Sequence, residues 1–255
     1  MAQNIVVGAG KVFFDPEDAA GNLTGERYLG DTPGFAVQVE SDKLESYDSD
    51  GPVAEKLLDV TIRVKRSAQI VCKDISADNL ALFLVGDVAT VSQSTGSVTD
   101  EALTVKKGRY YQLGVSASRP AGVRDINAVA VTGVGGTPTY VAGTDYTVDL
   151  ALARLYIEPG GAIADGTPIL VDYAKVATTW EEIVSHNLGA KRGALRFIAD
   201  NTQGENRDLY IPKCEVSPSG EAAFKSRDSV QQLSFAVSFG RRGNHAQIYV
   251  NGRPA

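Results

Sequence analysis

A chain of 255 residues, 43% of them hydrophobic, is long enough for one large domain or two modest ones and can bury a sizeable core. Its net charge of −6 argues against a nucleic-acid binder held by phosphate contacts and against an anionic membrane surface as partner. No stretch approaches the ~20 consecutive apolar residues of a membrane helix. The first residues, MAQNIVVGAGKVFF, show neither the basic region nor the apolar run of a signal peptide. The expectation is therefore a protein made in a reducing cytoplasm, with Cys72 and Cys214 as free thiols.

Lys11–Phe14 and Phe35–Glu40 have the composition of strands, separated by the turn-rich DPEDAAGNLTGE. Residues 41–57 contain the breaker pair Gly51-Pro52, and seven acids against two bases lie between Glu40 and Asp59. That imbalance predicts a loop, read either as a solvated hairpin tip or as a contact arm. Leu58, Val60, Ile62, Val64, Arg66, Ala68, Ile70 and Cys72 then hold one alternating phase. Such a strand would run for roughly 50 Å, so it either bends at 65–67 or joins a sheet larger than one subunit. Ser76 to Val85 is the one clear helix, with Ser76 as cap, Gly86 as terminator, and Ala77, Leu80, Ala81 and Leu84 on one face.

Val88–Thr99 reads as an edge strand and turn, and Arg109–Ser116 as another strand. From Ser118-Arg119-Pro120 a separate module is expected, with strands at Asn127–Val131, Asp145–Asp149, Leu155–Glu158 and Pro168–Tyr173. The outer domain resumes with strands at Ala194–Ile198, Leu209–Ile211, Cys214–Val216, Ala222–Lys225, Gln232–Phe239 and Gln247–Val250, before a loose NGRPA tail. The predicted organisation is a discontinuous β domain, residues 1–117 and 179–255, interrupted by a small β-sandwich module at 118–178.

Catalytic signatures are missing from these strands. His186 and His245 have no metal partner at useful spacing. GAGK at 8–11 lacks the spacer and hydroxyl of a phosphate loop, and GVGG at 133–136 opens no helix. Asp145, Asp149, Asp165 and Asp172 follow no calcium-loop pattern. The chain is expected to be no enzyme and to need no cofactor or metal.

Several stretches resemble the major tail tube proteins of long-tailed (siphovirus-type) bacteriophages. They are GERYLGDTPGFAVQVESDKLESYDSDG, LLDVTIRVKRSAQIVCKDI, SADNLALFLVGD and, after the insert, DLYIPKCEVSPSG with its flanks. YVAGTDYTVD and ADGTPILVDYA in the insert are similar to immunoglobulin-like modules that decorate phage structural proteins. The resemblance implies a mainly β fold, two packed sheets flanked by one helix. It implies hexameric rings stacked into a hollow tube that conducts viral DNA during ejection, without specific binding. Partners would be further copies of the chain and the tape measure, tail terminator and distal tail proteins, with no membrane. The location would be the virion tail, after assembly in the host bacterial cytoplasm. On this basis Lys43, Glu45, Tyr47, Asp48 and Asp50 are candidates for a ring-stacking loop, with Arg63, Lys65 and Arg66 as acceptors on the next ring. Val60, Ile62, Val64 and Arg66 are candidates for a sheet continued between subunits.

Two other readings remain open at this point. One is the inner tube of a contractile injection system. The other is a carbohydrate-binding or adhesion module, with Tyr110, Tyr111, Tyr140 and Tyr146 as stacking platforms.

Overall fold

The computed structural model describes residues 5–185 and 189–254. His186 lies outside them. Before the insert the chain forms β1 (Gly10–Pro16), β2 (Arg27–Tyr28), β3 (Gly34–Tyr47), β4 (Lys56–Cys72), α1 (Ala77–Phe83) and β5 (Gly86–Gln93). There follow β6 (Gly96–Val105), β7 (Tyr110–Gln112), β8 (Ile126–Gly133), β9 (Tyr146–Asp149), β10 (Arg154–Ile157) and β11 (Thr167–Lys175). Last come β12 (Thr178–Ser185), β13 (Lys191–Ala199), β14 (Arg207–Pro218), β15 (Leu233–Phe239) and β16 (Tyr249–Gly252). The protein is mainly β, built from several antiparallel sheets. It divides into two units, Met1–Ala89 with Ile183–Ala255, and Thr90–Glu182. β5 and β12 pair with each other and carry the chain out of the first unit and back.

In the first unit the strands run in the order β2-β1-β13-β14-β15-β4-β3, with β16 added on β14. Period-two alternation sends Leu233, Phe235, Val237 and Phe239 of β15 into the core beside Ala68, Ile70 and Cys72 of β4. The two strands expected at 209–211 and 214–216 are one, β14, with a register shift against β13 opposite Pro212 and Lys213. A proline cannot donate to a ladder, and an irregularity at that point accommodates it. No strand forms at Ala222–Lys225. The expected loose tail is ordered at least through Arg253: Asn251 and Gly252 belong to β16, and Arg253 reaches Asp208 at 3.2 Å, while Ala255 lies outside the described residues.

Helix α1 lies against β14 and β15. Ser76 caps it, its side chain accepting the Asn79 N–H, and the Phe83 ring meets Phe235 edge-on with centroids 6.1 Å apart. The buried face differs from the one expected: Leu82 is buried and Leu84 is exposed. The chain leaves the helix through Val85, at φ 52°, rather than through Gly86. Gly86 has another use, since a Cβ there would strike the Val184 carbonyl. Asn79 is fully buried; its amide donates to the carbonyls of Leu29 (2.8 Å) and Asp74 (3.0 Å) and accepts from Arg27 (2.7 Å).

The second unit holds two three-stranded sheets, β7-β10-β9 and β6-β11-β8. Leu155, Ile157 and Tyr146 from the first share one core with Val105, Ile169, Val171 and Val131 from the second. This unit begins at Thr90, not at residue 118. β6 pairs along β11, β7 pairs with β10, and Val105 and Leu113 are buried in the unit's core. Ser118-Arg119-Pro120 is an internal turn, closed by mutual backbone bonds between Ser116 and Arg119. Gln93 is buried in this unit, its amide donating to the Arg124 carbonyl and, at 2.9 Å, to that of Val176.

Candidate functional site

β15 pairs with β4 only through Leu233–Ser238 against Ser67–Cys72. From Lys56 to Arg66, β4 has β3 as its sole strand partner among the described residues. The result is a two-stranded ribbon running ~35 Å beyond the sheet at 3.3 Å per residue. The acidic 41–57 segment is therefore not a loop. Residues 41–47 lie in β3, and only 48–55 form the turn, closed by Asp48 N–H donating to the Glu55 carbonyl at 2.7 Å. Lys43, Glu45 and Tyr47 are strand residues; Asp48 and Asp50 stand at the tip.

Residues directly opposed across an antiparallel pair share a face. Near the sheet, Val37 faces Ala68, Val39 faces Arg66 and Ser41 faces Val64. The register then shifts: Asp42 opposes Arg63 but Lys43 opposes Thr61, leaving Ile62 without a partner. A second shift leaves Leu57 unopposed. Because the extra residue sits on β4 while β3 alternates through, the apolar phase read from Leu58 to Cys72 is broken at Ile62. Beyond it, Leu44 opposes Val60, and Glu45 opposes Asp59.

The polar residues of the outer ribbon converge on one cation. Lys56 Nζ lies 2.6 Å from Glu45 and 3.0 Å from Asp59, Lys43 reaches Asp59 at 3.2 Å, and the Tyr47 hydroxyl donates to Glu45 at 2.8 Å. The hydrogen bond from Lys56 holds the Glu45 carboxyl below its ordinary value, with Tyr47 adding to it. Hydrogen bonds from Lys56 and then Lys43 hold Asp59 down as well. Lys56 is pushed up by the same partners, Glu45 first, and Tyr47 is pushed up by its bond to Glu45. Lys56, the hub, was not legible as such in the sequence. Arg63 and Lys65 are already occupied, pairing with Asp42 of their own ribbon at 3.7 and 3.0 Å. Of the three expected acceptors only Arg66 differs, donating to Gln247 at 2.8 Å.

The apolar side chains of the ribbon are uncovered. Val39 is 62% exposed and Ile62 63%, while Ile70, eight residues further along the same strand, is 1% exposed. Val60, Val64, Leu44 and Leu58 are exposed too. The ribbon thus presents several large apolar side chains and, among the described residues, unpaired strand edges at once.

Tyr140 and Tyr146 are buried in the core of the second unit; Tyr110 is exposed, stacked on Tyr156 and under Arg154. Asp145, Asp149, Asp165 and Asp172 each accept backbone N–H groups of separate turns or strands. Among the described residues no group of three His, Cys, Asp or Glu could hold a metal ion. GVGG begins at the end of β8 and turns through Gly135 and Gly136 at positive φ. Both cysteines are free and buried, and burial raises the Cys214 thiol to about 12.

The chain belongs to the family described as "Protein of unknown function UCP028589", which it matches over residues 5–239. A search of curated proteins finds no match.

Proposed function

We propose that this member of the family is the structural subunit of a tube, like the major tail tube proteins its sequence resembles. Six copies form a ring, rings stack, and the bore conducts viral DNA without binding it. One observation carries this reading: the β3–β4 ribbon has uncovered apolar side chains and open edges over the stretch where it leaves its own sheet. An isolated two-stranded ribbon is marginal in water, so its length makes physical sense when other copies cover it. Val60, Ile62, Val64 and Arg66 then lie in the contact between subunits. The net charge of −6 supports a bore that does not retain phosphates. The inserted unit is an immunoglobulin-like decoration of the tube's outer surface, and the chain acts without catalysis or cofactor.

Electron microscopy of the concentrated pure protein, with sedimentation velocity across a dilution series, tests this. Six-fold rings or tubes burying more than roughly 2,000 Å² per subunit are expected. A protein that stays monomeric at every concentration, or that binds glycans as a monomer, overturns the proposal.

A further inference from the structure

Where the ribbon joins the sheet, the first unit contains a recess of about 560 Å³ whose wall includes Arg66, Arg241, Asn244, His245 and Gln247. No carboxylate lines it among the described residues. Arg66 is held in place by its bond to Gln247, whereas the Arg241 side chain has no hydrogen bond or ion pair among the described residues. Guanidinium groups left together without an anion are unusual in a chain with six more acids than bases. At the far end of the ribbon the opposite imbalance occurs. Asp42, Glu45 and Asp59 are all paired with bases of the ribbon, but Asp48, Asp50 and Glu55 at the tip form no ion pair among the described residues. About 35 Å of paired strand separates tip from recess, so they cannot meet within one chain.

We propose that the basic recess receives the acidic ribbon tip of a second copy, with Asp50 and Glu55 seated on Arg241 and Arg66. The inference rests on the tube reading and names the contact within it. Guanidinium groups suit carboxylates because their donors match both oxygens at once. Each copy offers one tip and one recess, so in a stacked array the same joint can repeat from copy to copy.

The test uses the full chain. Wild type, Arg241→Glu, the tip variant Asp50→Arg, and the chain carrying both changes are compared by sedimentation velocity and electron microscopy, at low and high salt. Each one-sided variant is expected to raise the concentration needed for assembly by about tenfold or more. The double variant should return toward wild type, and salt should weaken wild-type assembly. Circular dichroism checks that each chain folds, and Arg241→Gln replaces Arg241→Glu if the reversal disturbs the fold. Assembly that ignores both one-sided variants overturns this contact and leaves the tube reading standing. Arg241-dependent binding of a fluorescent single-stranded oligonucleotide, with assembly unchanged, shows a phosphate recess instead. A wild type that never assembles overturns the tube reading and this contact with it.

Discussion

Ile62 and Ile70 occupy one strand and one sequence phase, yet their environments are opposite, and substituting each should break a different property. Fully burying an isoleucine is worth ~1.5–3 kcal/mol. With 63% of its surface exposed in the single chain, Ile62 still has about 1–2 kcal/mol to gain from a covering partner. Ile62→Lys removes that gain and places an ammonium where an interface would have to desolvate it. The substitution should change subunit stability by no more than about 0.5 kcal/mol, because the site is exposed. It should raise the concentration needed for assembly at least about tenfold, the equivalent of 1.4 kcal/mol. Ile70 is 1% exposed, and Ile70→Ala should cost the fold about 2–5 kcal/mol, lowering the melting temperature by roughly 5–15 °C. Thermal melts and sedimentation velocity on both variants measure the two effects separately. If Ile62→Lys assembled at the wild-type concentration, the claim that this face is covered in the functional state would be refuted.

The Lys56 cluster should set the local stability of the ribbon. Lys56→Met should lower amide-exchange protection over residues 43–59 and leave the global melt unchanged, since the pairs are exposed. Glu45 and Asp59 lie below their ordinary 4.5 and 3.8, so their contribution is complete above those values and fades as pH falls through the folded ones. Lys56 lies above its ordinary 10.5, so its contribution is complete below 10.5 and fades only as pH rises through the folded value. Protection, corrected for intrinsic exchange, should therefore hold from about pH 5 to 10 and decline on either side. A fragment of residues 90–182 should unfold cooperatively on its own in a denaturant titration, while 118–178 should not, because it lacks β6 and the buried Val105 and Leu113. Cys214, with its thiol raised to about 12 by burial, should resist thiol reagents at neutral pH until guanidinium unfolds the chain; rapid native labelling would contradict its burial.

Much of the local structure is legible in the residues themselves. The strand at Leu233–Phe239, the Ser76 cap and the strands β8 to β11 of the inserted unit follow from period-two alternation and turn chemistry, which act over a few residues. The start of the inserted unit is not legible, because strand partners decide it: β6 belongs there through pairing with β11, more than sixty positions away in sequence. Burial is likewise invisible in the phase of β4. Val60, Ile62 and Val64 carry the same pattern as Ala68, Ile70 and Cys72, yet β15 ends its pairing at Ser67, and only the latter three reach the core. Acid-rich composition around Gly51-Pro52 suggests a loop, but cross-strand bonds from Lys43 and Lys56 fold most of it into a ladder. The basic recess brings Arg66 together with Arg241 and residues 244–248. Alternation specifies which side chains can share a face; strand order and register determine which of those faces is covered and which charges meet.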